Sequence, residues 1–129
     1  MKKFLSGLFV VLFITTVSLN ASEKSDPKKF EYDMPENVRA VVENSCFGCH
    51  NSDSRNEDAR DELDFKTLND LKAFKKIGTL RDIAEVMEED EMPPKKFLEK
   101  YPERAPSEAE EKLLSDWVKK ESQRLIDSQ

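Results

Sequence analysis

The chain has 129 residues, with 27 acids against 21 lysines and arginines and a formal net charge of −6. Its length fits one domain of roughly 100–150 residues, and its acidic balance excludes a nucleic-acid coat or a protein spread over an anionic membrane. Two cysteines and one histidine fall short of the four Cys or His ligands that a structural zinc site needs.

Met1-Lys2-Lys3, the apolar stretch Phe4 to Val17 and the small residues up to Ser22 have the form of a secretory signal peptide over residues 1–21, cut after Ala21. The apolar run is shorter than the ~20 residues of a comfortable membrane span; an uncleaved inner-membrane anchor is the alternative. No cysteine stands near position 20 to carry a lipid anchor. Export predicts a periplasmic protein. Removing residues 1–21 takes away two lysines and no acid, which moves the net charge to −8. A chain this small buries only about two-thirds of its unfolded surface and gains from a cofactor in its core. Residues 22–32 are polar and broken by Pro27; they read as a flexible lead-in to a domain over 33–126.

Asp33-Met34-Pro35-Glu36 reads as a helix start, with Asp33 as cap, Glu36 completing a capping box and Pro35 in the first turn. Val38, Val41 and Val42 follow at helical spacing and lead to Ser45 and Cys46 on the same stripe. Residues 51–62 lack apolar periodicity and read as a solvated loop, after which Leu63 and Phe65 return to the interior. Thr67 to Asp70 is a capping pattern before a short helix carrying Leu68, Leu71 and Phe74, which Gly78 breaks. Thr79 to Asp82 then caps a third stripe of Leu80, Ile83, Ala84 and Met87. Pro93 and Pro94 stop any helix and force an extended backbone at Met92. Lys95 to Ala105 reads as a connecting loop. Ser107 with Glu110 is a capping box for a final helix whose inner face holds Ala109, Leu113, Leu114, Trp117, Val118 and Leu125. Nothing alternates long enough to be a strand and no repeat is present, so the expected fold is all-α with three or four helices.

Cys46-Phe47-Gly48-Cys49-His50 has the spacing of a c-type haem attachment site. Two thiols three residues apart lie about one helical turn from each other, so both reach the two vinyl groups on one porphyrin edge. His50 then lies under the ring with an imidazole for the iron, and Gly48 leaves the backbone free to approach it. A thioredoxin-like pair needs a β-rich context that this chain lacks, and a disulfide across three residues closes too small a loop to stabilise much. One haem c per chain, attached covalently through Cys46 and Cys49, is the expected cofactor.

With His50 the sole histidine, a sixth iron ligand has to be of another type. Among the methionines left after export, Met34 precedes the first helix and Met87 sits on a core stripe. Met92 is held extended by Pro93 and lies 42 residues after His50, enough chain for two helices to wrap a haem and bring the sulfur to its far face. The expected iron ligands are His50 and Met92, and a thioether raises the potential in a way that suits electron transfer. Lys72, Lys75 and Lys76, and Lys95, Lys96 and Lys100 beside Met92, form either a solvated face or a docking patch.

From Met34 to about Leu125 the chain resembles the haem-binding-domain family of small exported bacterial proteins related to cytochrome c. The likeness rests on Pro35-Glu36-Asn37-Val38, on Ser45-Cys46-Phe47-Gly48-Cys49-His50-Asn51, and on Leu63-Asp64-Phe65. It continues through Glu91-Met92-Pro93-Pro94, Tyr101-Pro102-Glu103, and Ser107-Glu108-Ala109-Glu110 leading to Trp117. The stretch after the motif, residues 51–62, is shorter and more charged than is usual there. The resemblance implies haem binding and a cytochrome-c-like helical fold around one haem; it specifies no pathway.

Three functions compete. An electron carrier uses His50 and Met92 on a low-spin iron. A haem-based sensor or gas-binding protein keeps the sixth site open, but open-site four-helix cytochromes carry their motif near the C-terminus, and 79 residues follow His50 here. A peroxidase-like enzyme ranks last, because no second histidine is present for acid–base catalysis. The expectation is a non-enzymatic, monomeric carrier exchanging single electrons with redox protein partners. It involves no nucleic acid and no membrane span once the signal is cut.

Overall fold

The computed structural model describes residues 32–129; the expected signal peptide and residues 22–31 of the expected lead-in lie outside them. The described chain is all-α, as its patterning predicts, and no strand is found among the described residues. In chain order the helices are α1 (Glu36–Ser45), α2 (Glu57–Glu62), α3 (Ala73–Glu88), α4 (Lys95–Leu98) and α5 (Glu108–Asp127), with 3₁₀ turns at Leu68–Asp70 and Pro102–Arg104. None of the described helices is long and apolar enough to cross a membrane.

The core forms where three apolar stripes meet. α1 contributes Val38, Val41 and Val42; α3 contributes Leu80, Ile83, Ala84 and Met87; α5 contributes Leu114 and Val118. α3 packs chiefly along α5, and α1 crosses α5. Phe65 and Leu68, both almost fully buried, fill the space between the stripes. Each such side chain is worth about 1.5–3 kcal/mol relative to exposure.

The helix ends show where local rules hold. Ser107 and Glu110 form the predicted capping box: the Ser107 hydroxyl accepts from the Glu110 amide, and the Glu110 carboxylate accepts from the Ser107 amide at 2.8 Å. Those bonds hold the Glu110 carboxyl below its ordinary value. The Asp33 cap does not form. α1 starts two residues later than its pattern suggests, with Pro35 at the N-cap and no side-chain cap. Met34, before Pro35, is buried in the core, so the chain enters the helix extended and inward, leaving Asp33 exposed.

Gly78 does not break a helix. α3 runs through it from Ala73 without a side-chain cap, because a glycine costs only about 1 kcal/mol relative to alanine and the four buried residues beyond it outweigh that. Phe74, expected inside, is 69% exposed, since continuity through Gly78 rotates it away from α5. α3 ends before the prolines. Asp90 takes a left-handed φ of 54°, and the Glu91 amide donates back to the Val86 carbonyl at 3.0 Å, a Schellman closure that turns the chain toward Met92.

Two stretches read as loops carry helices. Residues 51–62 contain α2, and Lys95 to Ala105 contains α4 and a 3₁₀ turn; both helices are too short to leave an apolar period. Ala109, expected on the inner face of α5, is exposed. Tyr32, expected in the lead-in, is 3% exposed. Its ring meets Trp117 edge-on at 5.7 Å, and its hydroxyl donates to Glu121 at 2.9 Å. The Lys76 ammonium lies 5.8 Å above the same ring, which gives that lysine a structural role.

Candidate functional site

The motif continues the winding of α1 for one more turn. The Cys46 amide donates to Val42 at 2.9 Å, and the Cys49 and His50 amides both donate to the Cys46 carbonyl at 3.1 Å. This turn puts both thiols and the imidazole beside the core. Asn51 fastens it: buried, it donates from Nδ2 to the Phe47 carbonyl and accepts the Asp53 amide at 2.9 Å. The Phe65 amide closes the far side by donating to the His50 carbonyl.

Two adjoining cavities of about 150 and 170 Å³ open next to the motif; together they reach the roughly 300–1,000 Å³ of a small-molecule site. Cys46, His50, Met87, Met92 and Leu114 line both. Cys46, Cys49, His50 and Met92, the four residues singled out in the sequence, all line the first. The remaining wall is mainly apolar, with Val41, Phe97 and Pro94 on one side and Leu63, Phe65 and Ile83 on the other. Among the described residues no lysine or arginine lines either cavity, and the only charged lining groups are Glu62 and Asp82.

His50 is held at Nδ1. That nitrogen lies 2.7 Å from the Ala59 carbonyl and 3.3 Å from the Leu63 carbonyl. Carbonyls only accept, so Nδ1 is placed to donate, and the tautomer that does so leaves Nε2 as the nitrogen with a lone pair to offer. This is the arrangement of a metal-ligating histidine, its second nitrogen fixed by a backbone acceptor. Ala59 is in place because α2 forms, with the Asn56 side chain accepting the Ala59 amide at 3.2 Å as N-cap. Reading 51–62 as a solvated loop missed both residues. The available signal was Asn56 followed by Glu57 and Asp58, a cap and an acidic first turn.

No disulfide joins Cys46 to Cys49. Burial, with a smaller contribution from Cys49, pushes the Cys46 thiol up to about 12. Among the described residues no three His, Cys, Asp or Glu side chains converge to hold a metal ion. Gly48 lines neither cavity, and a Cβ there would meet no heavy atom within 4 Å; the protein's own packing places no demand on it. Met87, read as core filler, is buried and also faces the cleft, whereas Met92 is 38% exposed. The donors present, two thiols, one oriented imidazole and two thioethers against apolar walls, fit a haem.

A family model described as a haem-binding domain matches residues 53–120, more than half of the chain. The chain belongs to the haem-binding-domain family. The haem-binding-domain match spans α2, α3, the Met92 segment and most of α5, and begins just after the Cys46–His50 motif. The protein is therefore a haem-binding protein, and the cleft beside His50 is where its apolar walls and donor groups converge. No curated relative and no solved structure matches the chain.

Proposed function

We propose that this haem-binding protein is an exported mono-haem c-type cytochrome that carries single electrons between redox proteins in the periplasm. Cys46 and Cys49 would hold one haem covalently, and His50 and Met92 would be the side chains that ligate its iron. The observation that carries the reading is the His50 ring, with its Nδ1 proton committed to the Ala59 carbonyl at 2.7 Å in a cleft shared with both thiols and Met92. A bound haem supplies reversible one-electron iron chemistry. The chain supplies the rest. The thioethers fix orientation, the His50 tautomer presents Nε2, Leu63, Phe65, Ile83 and Leu114 exclude water, and the exposed Met92 side marks where a partner comes closest. The protein acts as a monomeric carrier rather than an enzyme, with protein redox partners and no nucleic-acid role.

The second reading, a sensor or gas-binding protein with an open sixth site, draws on the same exposure of Met92, which at 38% is loosely covered for an iron ligand. The optical spectrum separates the two. The carrier shows a weak far-red methionine–iron band in the ferric state and resists carbon monoxide in the ferrous state. A high-spin spectrum that shifts with carbon monoxide overturns the carrier.

A further inference from the structure

α2 has no evident means of its own to be a helix. It has six residues, buries none of them, and is made of Glu57-Asp58-Ala59-Arg60-Asp61-Glu62; isolated helices shorter than about 12 residues are marginal in water. Its ion pairs, Arg60 with Glu57 and with Asp61, are long, with both carboxylates exposed, and worth little. The Arg60 guanidinium also donates to the Ser54 carbonyl at 3.2 Å. The contact that satisfies its first turn is the Asn56 side chain on the Ala59 amide. At the other end, the Ala59 carbonyl takes two donors, the Leu63 amide at 3.1 Å and His50 Nδ1 at 2.7 Å.

We propose that Asn56 is a positioning residue for the iron site: by capping α2 it aims the Ala59 carbonyl at His50 and sets how strongly that imidazole donates to the iron. The proposal rests on His50 being an iron ligand. A firm Nδ1–H bond to a carbonyl makes the imidazole a better donor and favours the ferric state. When α2 frays, Nδ1 is left with the longer Leu63 contact, the donor weakens, and the potential rises.

The test is a neutral series in the exported holoprotein, Asn56→Ser, Asn56→Gly and Asn56→Ala, measuring midpoint potential together with hydrogen exchange of the Ala59 amide. Capping strength ranks Asn with Ser, then Gly, then Ala, whereas side-chain size ranks Ala above Gly. That difference matters because Asn56 also lines the first cavity. The expected result is a potential that rises in capping order, with serine near wild type, and local opening of α2 increased on the order of fivefold in the alanine variant. If the alanine variant does not load haem, the serine and glycine variants still give the order. A flat series, or one following size, overturns the proposal while leaving His50 ligation intact. A holoprotein whose spectrum is unchanged by His50→Gln overturns the ligand reading as well, and the proposal with it.

Discussion

At the scale of single residues, two thioethers share the cleft with one imidazole. Met87 is held by the core at 8% exposure and Met92 stands at the rim at 38%; both line both cavities. A thioether binds iron weakly, so the segment carrying it has to be ordered before binding. The Schellman closure at Asp90 fixes the approach to Met92, and Pro93 and Pro94 stiffen the exit. Met92→Ala is expected to abolish the far-red band, lower the potential and admit carbon monoxide, and Met87→Leu to do none of these. Optical titration of the two variants checks this, and the reverse pattern makes Met87 the ligand. The four expected residues could be singled out because the attachment motif is local in sequence and Met92 is marked by prolines, and the fold brings all four to one cavity. Ala59 was not, since its contribution is a backbone carbonyl, which any residue type supplies.

At the scale of elements, stability is set by a few caps and one continuous helix. A Cβ at Gly78 meets no heavy atom within 4 Å, and the helix runs unbroken on both sides. Gly78→Ala should therefore stabilise the fold by about 0.5–1 kcal/mol, read as a rise in denaturation midpoint. A destabilised variant would mean that α3 is interrupted there after all. The C-terminal half of α5 is tied to Tyr32 through Glu121. Arg124 donates to the Glu121 carboxylate at 2.7 and 2.8 Å, and the Tyr32 hydroxyl donates to it too. The Arg124 bond, aided by Tyr32, holds the Glu121 carboxyl below its ordinary value, and burial raises the Tyr32 phenol above its own. A lowered carboxyl stabilises above its unfolded value of about 4.3, and that contribution is lost as pH falls through the lower folded value. The raised phenol stabilises below about pH 10 and loses its contribution as pH rises beyond that. Wild type should exceed Glu121→Gln in thermal midpoint at neutral pH, and the gap should close below about pH 4. A gap independent of pH would remove Glu121 from this role. The stripes of α1, α3 and α5 were legible as 3.6-residue periods. α2 and α4 were not, because helices of six and four residues complete too few turns to show a period.

At the scale of the whole molecule, a small, highly charged chain packs three apolar stripes into a core with a cleft beside it. Leu114 and Met87 belong to the core cluster and to the cleft wall at once. The family match covers the walls of that cleft, and the attachment motif precedes it by three residues. On the proposed function the cleft walls hold the haem and the motif makes its attachment permanent. The most direct test is extraction of the purified exported protein with acidic acetone after denaturation. Covalent attachment predicts that haem stays with the polypeptide at one per chain and that the Cys46→Ala, Cys49→Ala variant releases it into the solvent. Haem that leaves the wild-type chain in the same extraction would contradict it.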